Sequence, residues 1–176
     1  MSDVLKRLKY DLDRHSLERT YLSFIRPKLE YASNIWDNCS KHDCDRLENL
    51  QLDIARTVTG ARKGTSHEIL YNEINWMTLK ERRLLNKLKY FSKIVDGQSP
   101  AYLQNLLPDK IEICRPSSRY SENFAITKCR TETFKNSFFP STIKHWNDLP
   151  LEFRNSEYAI ANLKRKGNPL YYTGTI

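Results

Sequence analysis

The sequence predicts a mostly α-helical protein: a helical bundle over residues 1–107, then a less regular basic C-terminal arm with short helices over residues 108–176. Three observations predict it. Apolar residues recur at steps of three and four through the first hundred positions, the spacing of one helix face. Capping residues and glycines divide those stretches. Beyond residue 108 the period fades, and polar residues with Pro116 intervene.

Each element follows from its local residues. Leu5, Leu8 and Leu12 predict a first short helix over residues 3–14. Ser16 is placed to cap a longer one, with Leu17, Tyr21, Phe24, Ile25, Ala32, Ile35 and Trp36 on one broad face. Pro27 lies inside that pattern and predicts a break or kink near residues 25–26, because it lacks a backbone donor and crowds the preceding turn. Residues 38–43 read as a polar loop. Leu47, Leu50, Ile54 and Val58 predict a helix over residues 43–59, closed by Gly60 in a left-handed cap. Ser66 caps a short helix carrying Ile69, Leu70 and Ile74. Thr78 and Glu81 form a capping-box pattern. The helix that they open reaches about residue 95, with Leu84, Leu88, Phe91 and Val95 as its apolar stripe and Gly97 at its end. Ser99-Pro100 starts another short helix through residue 106. Residues 124–131 are a weak strand candidate, residues 137–147 a helix, and residues 156–164 a last helix.

Composition bounds the function. Apolar residues make up 39%, with Trp 3, Tyr 10 and Phe 7, which is globular rather than disordered composition. No apolar run is long enough for a membrane span, and the first residues show no secretory signal, so an intracellular, reducing compartment is expected. The cysteines, Cys39, Cys44, Cys114 and Cys129, are then expected as free thiols. The net charge of +8 is uneven: residues 1–75 hold twelve basic and twelve acidic side chains, residues 76–176 seventeen and nine. A basic half favours polyanions through counterion release.

Two basic sets follow. Arg82, Lys89 and Lys93, with Asn86, share the helix face opposite the apolar stripe, and Lys80, Arg83 and Lys87 flank them. One-turn spacing suits contacts along a phosphate backbone. The second set is Arg115, Arg119, Lys128, Arg130, Lys135, Lys144 and Lys164, Arg165, Lys166, interleaved with Tyr120, Phe124, Phe134, Phe138, Phe139 and Trp146. Cations beside stacking rings are what single-stranded nucleic acid requires. Phe139 and Trp146 have core spacing, whereas Tyr120 and Phe124 are freer to stack. Trp36, Trp76 and Trp146 read as core anchors with polar neighbours for their indole N–H groups.

Catalytic patterns are missing. Asp11, Asp13 and Glu18 are the densest N-terminal carboxylates, but positions 11 and 13 face different sides of a helix. No two acidic residues are adjacent, and no glycine-rich phosphate loop or nucleophile elbow occurs. Cys39, His42 and Cys44 offer three soft ligands, one short of a closed zinc site. No catalytic residue, cofactor or metal is assigned.

Six stretches in order carry a resemblance. They are SLERTYLSFIRPKLEYASNIWD (residues 16–37), LQLDIARTVTGA (50–61), NEINWMTLKERR (72–83), SPAYLQNLLP (99–108), RTETFKNSFFPSTIKHWNDLP (130–150) and NPLYYTGT (168–175). Together they resemble the region after the palm, the thumb-like part, of a non-LTR retrotransposon (LINE, jockey/CR1-like) reverse transcriptase. The resemblance implies a transposable-element protein, an RNA-directed DNA polymerase, whose palm and endonuclease are not in this sequence. It looks like a truncated remnant of such an element, and by itself no enzyme. The implied role is to grip template or primer, RNA and/or DNA and an RNA–DNA hybrid above all, or to meet a reverse-transcriptase core. The alternatives are a helical protein-interaction module, with apolar surface near Leu12, Leu17 and Tyr21, or an inert mobile-element relic.

Overall fold

A computed structural model describes residues 2–111 and 122–154. The fold is mostly α-helical, and among the described residues one isolated antiparallel bridge, Lys110 with Phe124, is the sole β contact. Two compact units divide the chain, Met1–Arg83 and Leu84–Ile176. The division falls inside one helix rather than near residue 107, where the sequence changes character. The helix expected over residues 156–164 lies outside the described residues.

The first unit begins with α1 (Ser2–Leu8) and α2 (Arg14–Thr20). Asp13 rather than Ser16 caps α2, its carboxylate accepting from the His15 and Ser16 N–H groups. The Ser16 side chain foremost, with these backbone bonds behind it, holds the Asp13 carboxyl below its ordinary range. The chain then passes through a π-helical turn, Tyr21–Ile25, into α3 (Arg26–Glu30). Pro27, expected to break the helix, stands in the first turn of α3, where its missing N–H removes no ladder bond. The wider π turn absorbs the change of register. Ala32, with φ 52°, ends this run before α4 (Ser33–Trp36). The single apolar face expected over residues 17–36 is therefore divided. Leu17, Tyr21 and Ile25 are buried, while Phe24, Ala32 and Ile35 are exposed.

Ser40 caps α5 (Lys41–Thr59) by accepting from the Asp43 N–H, and Gly60 closes it at φ 71°. Ser66 caps α6 (His67–Ile74). Leu5, Leu17, Tyr21, Ile25, Ile54 and Val58 form one buried cluster, with Leu8, Leu12 and Trp76 packed on it. Each fully buried aliphatic side chain contributes about 1.5–3 kcal/mol. Leu17 and Tyr21 are thus interior, which corrects their expected place on an open docking surface. A polar network threads the unit. Tyr21 donates to Gln51 (2.5 Å), Gln51 donates to the Met77 carbonyl (2.8 Å), and Tyr71 donates to Glu48. Tyr21 also stacks on Trp76, whose indole donates to Glu18. Burial pushes both phenols well above the ordinary tyrosine range, with Glu48 adding to the effect at Tyr71.

Helix α7 (Leu79–Val95) opens with the expected box: Thr78 N–H donates to Glu81, and Glu81 N–H donates to the Thr78 hydroxyl. Most of the helix, from Leu84 onward, lies in the second unit, and α8 (Ala101–Gln104), α9 (Glu132–Lys135) and α10 (Phe138–Asp148) follow, then a 3-10 turn, Leu151–Phe153. Phe91 meets Phe124 edge-on at 5.6 Å and Trp146 at 5.1 Å, forming an aromatic core. Phe124 is buried there, which removes it from the expected stacking surface.

Asn147 explains how Phe124 is held. At the bridge, Ile111 N–H bonds Asn123 O and Ala125 N–H bonds Asp109 O, so the N–H and C=O of Phe124 point away from the paired segment. The Asn147 carboxamide meets both: it accepts from Phe124 N–H (3.0 Å) and donates to Phe124 O (2.8 Å). It replaces a third strand and leaves no orphan backbone group there. Buried Arg154 completes the arrangement, donating to Asn123 Oδ1 and to the Leu149 and Asn147 carbonyls.

Candidate nucleic-acid interface

The basic positions of α7 divide by burial. Leu79, Leu85, Leu88, Phe91 and Ile94 are its buried apolar residues. Leu85 and Ile94 replace Leu84 and Val95 in the expected stripe: the first two are buried and the second two only partly so. Arg82, Asn86, Lys89 and Lys93 do share the face that carries no buried residue. Lys80 is exposed.

Arg83 and Lys87, expected as flanking phosphate contacts, are each only 5% exposed. Arg83 donates to Asp37 (2.7 Å) with its guanidinium 5.6 Å from the Trp36 ring centre. Lys87 donates to the Ser141 hydroxyl at 3.2 Å. Both positions therefore belong to the interior, a correction with a simple cause. A buried cation must be met by acceptors, and these cations are. Arg82 is half-buried and bonded through two nitrogens to Glu30. That bond pushes its guanidinium further toward the charged form.

The second unit keeps cations at its surface. Lys128, Arg130, Lys135 and Lys144 are all exposed. Lys135 pairs with Glu132 one turn earlier at 3.0 Å, in the open, where such a pair contributes little. Lys128, Arg130 and Lys144 make no ion pair among the described residues, and neither does half-exposed Lys89. Phe134 is 47% exposed between Arg130 and Lys135 in sequence, at the start of a short helix that the sequence reading missed. Its signal was Thr131, whose hydroxyl accepts from the Phe134 N–H. Tyr120 and the Lys164, Arg165, Lys166 run lie outside the described residues. A cleft of about 260 Å³ in this unit is lined by Asp96, Lys110, Glu122 and Arg154 among others, a mixed set that does not select a polyanion.

The expected acidic sets do not converge. Asp13 caps α2 and Glu18 holds the Trp76 indole. His42 is exposed, and among the described residues no group of three or more His, Cys, Asp or Glu side chains is arranged to hold a metal ion. No helix among the described residues is long and apolar enough to cross a membrane.

Phe24, Tyr31 and Ile35 are 69%, 80% and 81% exposed, and the helical period places Phe24 and Ile35, though not Tyr31, inside. Comparison with protein-family models, with curated proteins and with solved structures gave no match.

Proposed function

We propose that this chain is a non-catalytic, nucleic-acid-binding part of a retrotransposon RNA-directed DNA polymerase. The observation that carries the reading is the set of exposed cations Lys128, Arg130 and Lys144, which find no ion pair among the described residues, with Phe134 exposed near them in sequence. Surface cations without carboxylate partners attract phosphates at little desolvation cost, and an exposed ring offers a base a stacking platform. The resemblance of six ordered stretches supplies the parent protein and the RNA–DNA hybrid as ligand. Lys80, Lys89 and Lys93 extend the contacts along α7, and Lys164, Arg165 and Lys166 add sequence-level charge. Arg82, Arg83 and Lys87 act in the fold instead.

Fluorescence anisotropy with a labelled RNA–DNA hybrid across a salt series tests this. Binding is expected to weaken steeply with salt. The triple variant Lys128→Glu, Arg130→Glu, Lys144→Glu should lower the log–log salt slope by about 2–3, near one per phosphate contact. An unchanged slope and affinity would reject the assigned surface.

Exposed Phe24, Tyr31 and Ile35 favour a second reading, a protein-interaction module, since large apolar side chains grouped near one another in sequence mark contact sites. Light scattering that shows a defined oligomer, with no hybrid binding at low salt, would support it over the first.

A further inference from the structure

The Cys39 and Cys44 thiols lie 3.1 Å apart, sulfur to sulfur. Local structure brings them together. Ser40 is the N-cap of α5, so Cys39 precedes the cap and Cys44 is the fourth helical residue. These are the two positions whose side chains meet across a helix start, usually as an apolar pair that fixes the entry of the chain. Here both are cysteine. The cap that sets the geometry is independent of them: Ser40 Oγ accepts from Asp43 N–H at 3.2 Å, and Cys44 N–H closes the first helical turn on Ser40 O at 3.0 Å. The cap therefore holds two free, partly exposed thiols against each other.

We infer that Cys39 and Cys44 form a reversible intrachain disulfide, a redox modification site that turns the side-chain clasp at the start of α5 into a covalent one. The sulfurs need to close by about 1 Å to reach bonding distance, and only the Ser40 cap and the first turn of α5 lie between them. His42 points the chemistry away from a metal: it is exposed, and the three side chains do not gather into a metal-holding group.

The oxidant is a small-molecule disulfide of the glutathione type. Burial, with Cys44 beside it, pushes the Cys39 thiol up to about 11, and because the two thiols share one proton environment the exchange can open at either sulfur. When it opens at Cys44, that thiolate attacks one sulfur of the small disulfide. That sulfur–sulfur bond breaks, one small thiolate leaves, and Cys44 holds a mixed disulfide. The Cys39 sulfur then loses its proton to solvent and attacks the Cys44 sulfur. The protein disulfide forms and the second small thiolate leaves. Two electrons pass from the cysteine pair to the oxidant, and each departing thiolate takes up a proton.

The full chain, reduced and then exposed to excess oxidised glutathione, is quenched with a thiol-blocking reagent and mapped by peptide mass. The expected result is a peptide linked between Cys39 and Cys44, lighter by two hydrogens, which a dithiol reductant reverses. In Cys39→Ser the glutathione adduct should persist on Cys44, since nothing resolves it. Wild-type chains that keep both thiols, that stop at a mixed disulfide on Cys44, or that pair either residue with Cys114 or Cys129 would overturn the inference. The first of these outcomes would leave the pair as an apolar clasp only. The wild-type map decides even if the variant folds poorly.

Discussion

The two compact units differ in how many of their cations are paired. In Met1–Arg83, arginines are met by carboxylates: Arg14 by Glu73, Arg56 by Asp53, Arg82 by Glu30 and Arg83 by Asp37. In Leu84–Ile176, Lys128, Arg130 and Lys144 are exposed with no ion pair among the described residues. Equal numbers of acids and bases over residues 1–75 make the first pattern available, and the excess of bases over residues 76–176 makes the second unavoidable. Formal charge on a helix is thus a poor guide to function by itself. Arg83 and Lys89 lie on the same helix, yet one is interior and the other half-exposed.

The interiors differ too. The first unit carries a hydrogen-bonded core of Tyr21, Gln51, Tyr71 and Glu48 beside its apolar cluster. The second packs rings, Phe91, Phe124 and Trp146, with Asn147 and Arg154 closing the backbone around them. The largest effect should therefore come from the rings. Trp146→Ala should destabilise the protein by about 3–5 kcal/mol, through lost burial and a cavity between Phe91 and the bridge segment. Chemical denaturation followed by near-ultraviolet circular dichroism would read it. A loss below 1 kcal/mol would mean that the ring cluster does not hold this unit.

Next in size is the Arg83–Asp37 pair. Arg83→Ala removes a buried guanidinium from Asp37 and from the Trp36 ring, and should cost about 2–3 kcal/mol. Lys144→Ala, at the exposed positions, should change stability by less than about 0.5 kcal/mol while weakening hybrid binding. Equal stability losses at the two sites would erase the distinction between structural and surface cations.

Local signals made the helices legible, and long-range partners were not. The Thr78–Glu81 box, Ser66, Gly60 and Gly97 each marked an end that the structure bears out, because a cap acts within four residues of itself. The burial of Arg83 could not be read in the same way. Its partner Asp37 lies 46 residues earlier, and nothing in helical spacing says that α4 ends beside α7. Phe124 was misplaced for a related reason. Its segment lacks a helical period and carries only a weak strand pattern, and its backbone is held by Asn147, 23 residues onward. The exposed Phe24 and Ile35 fall on the expected interior face because one period extends across residues 17–36, whereas left-handed Ala32 interrupts it. The candidate surface was legible as composition, an excess of bases, but which bases stay at the surface was decided by distant carboxylates.

The polar core of the first unit gives a pH signature that the ring core of the second lacks. Tyr21 and Tyr71 are held neutral in the fold, their phenols shifted upward from the ordinary 10.0 by burial. In the unfolded chain both ionise near that ordinary value. Above it the unfolded state binds fewer protons than the folded one, so stability falls as pH rises. The contribution is fully present below pH 10.0 and is lost progressively above it, by up to about 1.4 kcal/mol per pH unit for each phenol. Tyr21→Phe keeps the ring on Trp76 but removes the titrating hydroxyl. It should be less stable than wild type at neutral pH, because Gln51 Oε1 loses its donor, and should show a shallower alkaline decline. Denaturation midpoints at neutral pH and above pH 10.0 would show the two curves converging. Parallel curves would mean that the Tyr21 phenol ionises as freely folded as unfolded, and that its bond to Gln51 does not exclude water from the first unit's interior.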